Sequence, residues 1–237
     1  MSTVALGANT RPVGIRLVAA AEVPPGDVWL GPRERARLAQ FRFPNRRADW
    51  RLGRWAAKRA AAAWLDRPAH LMALSELEVL ADDRGVPRLH VGGAAPLALS
   101  LSHRAGWAIA VVAPPDVALG CDLEPVELRS AAFVMDYFTA REQAFVAARG
   151  PLALARRTTL VWCAKECALK ALHEGLRLDT RSVELVVRQG ARDDGWLRVA
   201  ARAVPEGPTF EGWWRRHGAL LACVLGRPAL EIPSLLP

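Results

Sequence analysis

Two short segments hold the side chains best suited to chemistry: Gly120-Cys121-Asp122-Leu123-Glu124 and Trp162-Cys163-Ala164-Lys165-Glu166-Cys167-Ala168-Leu169-Lys170. The second lies in a stretch from Thr159 to Leu172 free of Gly and Pro and rich in Ala, Leu and Lys, which predicts a helix. Trp162, Glu166 and Lys170 recur at i, i+4 and i+8 and therefore share one side of it. The first segment reads as a strand from Val117 to Glu124. Leu119, Cys121 and Leu123 face one way, and Asp122 and Glu124 face the other together. Two carboxylates on one strand face repel unless a positive charge sits between them. A hard cation with oxygen ligands answers that need, and Mg²⁺ commonly binds one or two carboxylates plus substrate phosphates.

Each segment alone has an ordinary explanation. A Glu–Lys pair at i, i+4 is usually a solvated ion pair, and a strand Asp-x-Glu is usually the wet face of a sheet. Their co-occurrence is more telling, with Leu99-Ser100-Leu101-Ser102-His103 just upstream.

Taken together the segments resemble the signatures of the 4′-phosphopantetheinyl transferases, in particular the longer Sfp-type (surfactin-synthetase-activating) class. The order Ser102-His103, then Gly120-x-Asp122-x-Glu124, then Trp162-x-x-Lys165-Glu166-x-x-x-Lys170 follows that family's pattern. Asp83-Arg84-Gly85-Val86-Pro87 resembles its Gly-Lys-Pro turn, and Tyr137-Phe138-Thr139-Ala140-Arg141-Glu142 agrees further. The resemblance spans about residue 30 to residue 190. It implies an α+β fold of two similar α/β subdomains related by a pseudo-two-fold axis. It also implies transfer of the phosphopantetheine arm of coenzyme A to a carrier-domain serine, releasing 3′,5′-ADP. Carriers of fatty-acid, polyketide or nonribosomal-peptide synthesis would be the acceptors.

The resemblance assigns Asp122, Glu124 and Glu166 as Mg²⁺ ligands and Lys170 as the pyrophosphate contact. It leaves two routes for the general base, Glu166 itself or a metal-bound water, since a carboxylate held on Mg²⁺ is a weak base. Asp122, Glu166 and Lys170 would then be the catalytic set. Ser102 and His103 look like the nucleotide-phosphate contact, Arg51 like a phosphate-binding arginine, and Arg37 (with Arg35) a candidate for the 3′-phosphate. Val86 stands where the family often has lysine, leaving Arg88 to supply that contact. Lys165, about 100° around the helix from Glu166, reads as a solvated residue, and Trp162 as a packing anchor.

Composition sets outer limits. The 237 residues suffice for one large domain or two small ones, and half are apolar. No apolar run approaches the roughly 20 residues of a membrane span. Met1 to Pro12 lacks the basic start and apolar core of a signal peptide, so a cytoplasmic protein is expected, and the resemblance implies a monomer built as a pseudo-dimer. Cys121, Cys163, Cys167 and Cys223 sit in apolar contexts and read as buried thiols. The net charge of +8 points to an acidic partner. Basic residues crowd the stretch from Arg33 to Arg59, which suits coenzyme A and an acidic carrier. Two other classes compete. A metal-dependent nuclease wants lysine two residues after its second acid, where this chain has Val126. A basic nucleic-acid-binding module lacks any standard motif here.

The elements that must position these residues fall into two runs. Strand Val13–Val18, helices Pro32–Gln40 and Arg47–Leu65, and strands Leu77–Leu80, Leu97–Ser102 and Trp107–Ala113 form the first. Pro114-Pro115-Asp116 marks a boundary, giving subdomains 1–114 (coenzyme A phosphates) and 115–237 (acidic site). The second run has strand Val117–Glu124, helices Ser130–Met135, Ala140–Arg149 and Ala155–His173, and strands Ser182–Arg188, Trp196–Ala201 and Ala219–Leu225. Thr139-x-x-Glu142 is a capping box. No residue-level repeat between the halves is evident, and the tail after Gly226 is expected to wrap the surface or lie loose.

Overall fold

The computed structural model describes residues 10–92, 97–148, 150–174, 177–186, 192–193 and 195–237. The first run contains β1 (Gly14–Ala19), α1 (Pro32–Ala39), α2 (Pro44–Trp64), α3 (Leu71–Ser75), β2 (Glu78–Ala81), β3 (Pro87–His90), β4 (Ala98–Arg104) and β5 (Trp107–Ala113). The second contains β6 (Ala118–Pro125), α4 (Ala131–Tyr137), α5 (Ala140–Ala147), α6 (Pro151–Ala171), β7 (Val183–Val186), β8 (Arg192–Asp193), β9 (Trp196–Ala203), β10 (Thr209–His217), β11 (Leu220–Arg227) and β12 (Ser234–Leu235). The architecture is α+β. One sheet has the order β12-β1-β5-β4, a second runs β6-β11-β10-β9-β7 with β8 paired to β9, and β2-β3 is a separate hairpin.

Each 21-residue helix covers one sheet. The alanine tract of α2 buries Ala56, Ala57, Ala60, Ala61 and Ala62, whose small side chains let β1 and β5 lie close. Helix α6 lies across β6 and β11. Gly120 makes that approach possible, since a Cβ on it would stand 1.8 Å from the Cys167 carbonyl oxygen of α6. The buried members of one core lie between Val18 and Val112, and those of a second between Phe138 and Leu225. A third joins Val13, Ile15, Ile109 and Val111 to Leu119, Cys121, Leu123 and Val224. All four cysteines are buried and unpaired, as their contexts predict.

The edges of the two sheets meet where β4 lies against β6. Side chains bridge the seam: Cys121 N donates to Ser100 Oγ (3.0 Å), and Ser102 Oγ donates to Asp122 Oδ1 (2.8 Å).

Four expectations need correction. Strand β10 falls in a stretch to which the sequence reading assigns no element, because Glu211, Arg215 and Arg216 break its apolar pattern. Its Phe210 and Trp213 are nonetheless buried. The tail is tied down: Ser234 N donates to Val13 O and Leu236 N to Ile15 O, making β12 a parallel edge strand beside β1. Buried Leu230 anchors it. Lys165 is fully buried, not solvated, and pairs with Glu142 at 2.7 Å. The expected strand from Ser182 ends at Val186, and its last two residues (187–188) lie outside the described residues, as do residues 1–9 of the leader reading.

The fourth correction concerns the repeat. A set of matching contacts aligns the helix pair of one half with that of the other. Glu34, third in α1, accepts from Gly31 N (2.8 Å) and Val79 N of β2 (2.9 Å), and pairs with Lys58 of α2 at 2.5 Å. Glu142, third in α5, accepts from Thr139 N (2.9 Å) and Leu185 N of β7 (2.8 Å), and pairs with Lys165 of α6. Arg33–Glu78 and Arg141–Glu184 are matching outer pairs. The repeat is then visible as Trp55-Ala56-Ala57-Lys58 against Trp162-Cys163-Ala164-Lys165. It is short and set in divergent sequence, so linear inspection passes over it.

Candidate active site

Strand alternation on β6 turns Asp122 toward α6, where Gly120 has already brought the helix in. Lys170, one turn past Glu166, reaches back to the strand. Its Nζ donates to Asp122 Oδ1 (2.9 Å) and to Cys121 O (2.9 Å). Burial opposes the Lys170 charge, but Asp122, with smaller help from Glu166, outweighs it and raises the pKa, so the ammonium stays charged. An ammonium has three donors, and two are engaged here.

Asp122 is 4% exposed. Its Oδ1 accepts from both Ser102 and Lys170, while Oδ2 is buried without a partner. Glu166 likewise holds a buried, unpartnered Oε1. Burial raises the Glu166 pKa, and the charges of Asp122 and Glu124 push the same way against Lys170. Glu124 is also raised, by burial first and by Asp122 second; its Oε2 accepts from Arg129 Nη2 at 2.9 Å.

These features bear on a metal. Among the described residues no group of three or more His, Cys, Asp or Glu side chains stands together as a ready cluster. The donor chemistry nonetheless fits a hard cation: the donors are oxygens only, and two carboxylates each keep a buried oxygen free. Glu124 would join them only by leaving Arg129.

Beside Lys170 opens a cavity of about 530 Å³, walled by Leu99 and Leu101 and by the charged Arg54, Arg84, Glu174 and Arg177. Arg54 is almost buried, and desolvation brings its pKa down to about 10. Arg84 Nη2 donates to Glu174 Oε1 (2.8 Å), and Arg177 Nη2 to Arg84 O (3.0 Å), joining the β2–β3 turn to the segment after α6.

The sequence-derived candidates divide. Asp122, Glu166, Lys170 and Ser102 come together at the seam, with Glu124 alongside. His103 stands exposed at the end of β4 over Gly53 of α2, where a Cβ would lie 3.4 Å from its Cδ2. Surrounding protein lowers its pKa, with Asp49 opposing and Lys170 adding to the effect. Arg51 is engaged elsewhere: its Nη2 donates to Pro24 O (2.8 Å) and its Nε lies 3.1 Å from Asp27 Oδ1. Arg37 is exposed, donating to Gln40 Oε1 (2.6 Å) and lying over the Phe41 ring. Arg88 pairs with Asp82 and lines a neighbouring cavity of about 260 Å³. Trp162 packs against Phe133 and Tyr137. Reading the sequence missed Arg54, which lies one helical turn from Arg51 on α2, and the pair Arg84 and Arg177.

Residues 118–195 match the model of the 4′-phosphopantetheinyl transferase superfamily. No curated protein matches the chain. Among solved structures, the chain is similar to a holo-(acyl-carrier-protein) synthase from Bacillus anthracis str. Ames in complex with CoA (3′,5′-ADP). Identity there is 23% and TM-score 0.37, over 44% of this chain and 94% of that one. The apo-ACPS of Chronobacterium ammoiniagenes matches at 28% identity and TM-score 0.36, over 44% and 95%. Holo-[acyl-carrier-protein] synthase of Helicobacter pylori, in complex with coenzyme A, matches at 20% and 0.34, over 42% and 96%. Among the described residues no helix is long and apolar enough to cross a membrane.

Proposed function

We propose that this chain is a 4′-phosphopantetheinyl transferase that moves the phosphopantetheine arm of coenzyme A onto a serine of an acidic acyl- or peptidyl-carrier domain. The observation that carries the reading is the junction at the seam. A charged Lys170 is clamped by Asp122 and Cys121 beside two buried, unpartnered carboxylate oxygens, at the wall of a cavity lined with arginines. The superfamily match over residues 118–195 supports the same reading.

The residues divide the work. Lys170 keeps one N–H free for a pyrophosphate oxygen and offsets charge gathering on the leaving 3′,5′-ADP. Arg54, with Arg84 and Arg177, gives the cavity the positive wall that a phosphorylated nucleotide needs. Glu166 Oε1, in an environment that raises its proton affinity, takes the proton from the carrier serine Oγ. That oxygen then bonds to the β-phosphorus as the bridging P–O bond to 3′,5′-ADP breaks. Asp122, Glu124 and Glu166 would hold Mg²⁺, which supplies neutralisation of the pyrophosphate when bound. Ser102 acts through Asp122 by fixing which oxygen faces the lysine.

The test is intact-mass spectrometry of an apo carrier domain incubated with the protein, coenzyme A and Mg²⁺. The expected result is a gain equal to the phosphopantetheine arm, abolished by EDTA and restored by excess Mg²⁺. A folded protein that modifies no carrier across fatty-acid, polyketide and peptide types would sink the proposal. Ser102→Ala removes one hydrogen bond of about 1 kcal/mol, so turnover should fall by roughly fivefold and not vanish. A null Ser102→Ala would mean that Ser102 contacts the substrate directly.

A further inference from the structure

The repeated Glu–Lys pairs separate architecture from chemistry inside Trp162-x-x-Lys165-Glu166-x-x-x-Lys170. Lys165 is wholly enclosed. Its Nζ pairs with Glu142 Oε2 (2.7 Å) and donates to Thr180 O (3.0 Å) and to Val183 O, so no donor is left for a substrate. Lys58 does the same on α2, pairing with Glu34 Oε2 (2.5 Å) and donating to Trp29 O (2.8 Å) and Leu74 O (2.9 Å). The residue after Lys165 is Glu166; the residue after Lys58 is Arg59, which can serve neither as base nor as cation ligand. The device therefore exists in a half that carries no reacting carboxylate.

We infer that Lys165 and Lys58 are positioning residues that fix the rotation of α6 and α2, Lys165 for the reacting carboxylate of Glu166 and Lys58 for the cavity arginine Arg54. This rests on the transferase reading above. The two helices present different parts of the site. Lys165 is the immediate neighbour of Glu166, while Lys170 is tethered separately to β6 through Asp122 and Cys121. Loosening Lys165 thus misplaces the base and spares the phosphate contact. Lys58 lies one turn from Arg54, whose side chain walls the cavity. Loosening it disturbs nucleotide binding and spares the base.

The experiment compares Lys165→Met, Lys58→Met and the double variant Glu142→Gln/Lys165→Met. Lys165→Met should lower kcat at least about tenfold with KM for coenzyme A within about twofold, because a misaligned base costs rate. Lys58→Met should raise KM for coenzyme A by about tenfold with kcat within about twofold. The double variant removes the unpaired buried carboxylate, while the amide oxygen introduced at position 142 can still accept from Leu185 N. It should therefore regain stability toward urea while kcat stays as low as in Lys165→Met, because the lysine's bonds to Thr180 O and Val183 O are still missing. A double variant that recovers parental kcat, or a Lys165→Met variant with parental kcat, overturns the inference. Loss of the same kinetic parameter in both lysine variants overturns it too. Should the parent protein transfer nothing, the transferase reading fails by itself, and amide hydrogen exchange decides this one. Faster exchange confined to α6 in the Lys165 variants and to α2 in Lys58→Met supports positioning; exchange unchanged from the parent refutes it.

Discussion

Replacing Asp122 with asparagine is expected to reduce carrier modification by roughly 100- to 1,000-fold or more, in line with the loss of a single preorganised charge at a phosphoryl site, while the fold survives. Asparagine keeps the shape and an acceptor oxygen, so Ser102 Oγ and Lys170 Nζ can still donate to it. What disappears is the negative charge. Lys170 then keeps two neutral acceptors, the amide oxygen and the Cys121 carbonyl, and only the more distant charge of Glu166 to hold its ammonium in a mostly enclosed place. The buried Oδ2, unpartnered at present, becomes an amide that cannot serve a cation. Alanine at the same position should be equally inactive and less stable by about 1–3 kcal/mol, because it leaves both donors without their acceptor. Urea unfolding separates the two variants from each other, and the mass assay separates both from the parent. A folded Asp122→Asn protein with near-parental turnover would remove Asp122 from the site and dissolve the proposed arrangement around Lys170.

Local pattern carries much of this molecule, and long-range contact carries the rest. Trp107 to Ala113 can be read as a strand to the residue because it is apolar throughout and buried on nearly its whole length. Helix and strand periods likewise put Glu166 with Lys170 on one helix side and Asp122 with Glu124 on one strand face, but that the two surfaces meet is what the resemblance implies. Lys165 is not legible. Helical geometry says only that it lies to one side of Glu166, whereas its burial depends on α5 and the start of β7, which arrive from elsewhere in the chain. A comparison with Trp55-x-x-Lys58 supplies the missing signal. Arg51 is a related case: the resemblance implies a phosphate contact, whereas the 24–27 loop folds over it and Arg54 is an arginine that lines the cavity. Strand β12 owes its existence to the free edge of β1 rather than to any propensity of Ser234 and Leu235.

Substituting Gly120 with alanine should be the most damaging single-methyl change in the protein. The added Cβ would stand 1.8 Å from Cys167 O, 2.7 Å from Cys167 C and 3.1 Å from Ala171 N. All three are backbone atoms of α6, so no side-chain rotation relieves the overlap; the helix or the strand must move bodily. Overpacking of this kind costs about 1–3 kcal/mol or more. Here it acts where β6 and β11 form the floor under α6, and where Cys167 Sγ and Cys163 Sγ face Cys223 O and Leu221 O of the adjacent strand. Catalysis should suffer beyond stability. Lys170 reaches Asp122 and Cys121 only because the helix lies this close, and lifting α6 by about an ångström carries the 2.9 Å contacts past hydrogen-bonding range. The expected result is a lower urea midpoint together with turnover reduced more than about tenfold in the fraction that remains folded. An alanine variant with parental stability would show that α6 does not rest on β6 as described, and every distance that links Lys170 to Asp122 would have to be drawn again.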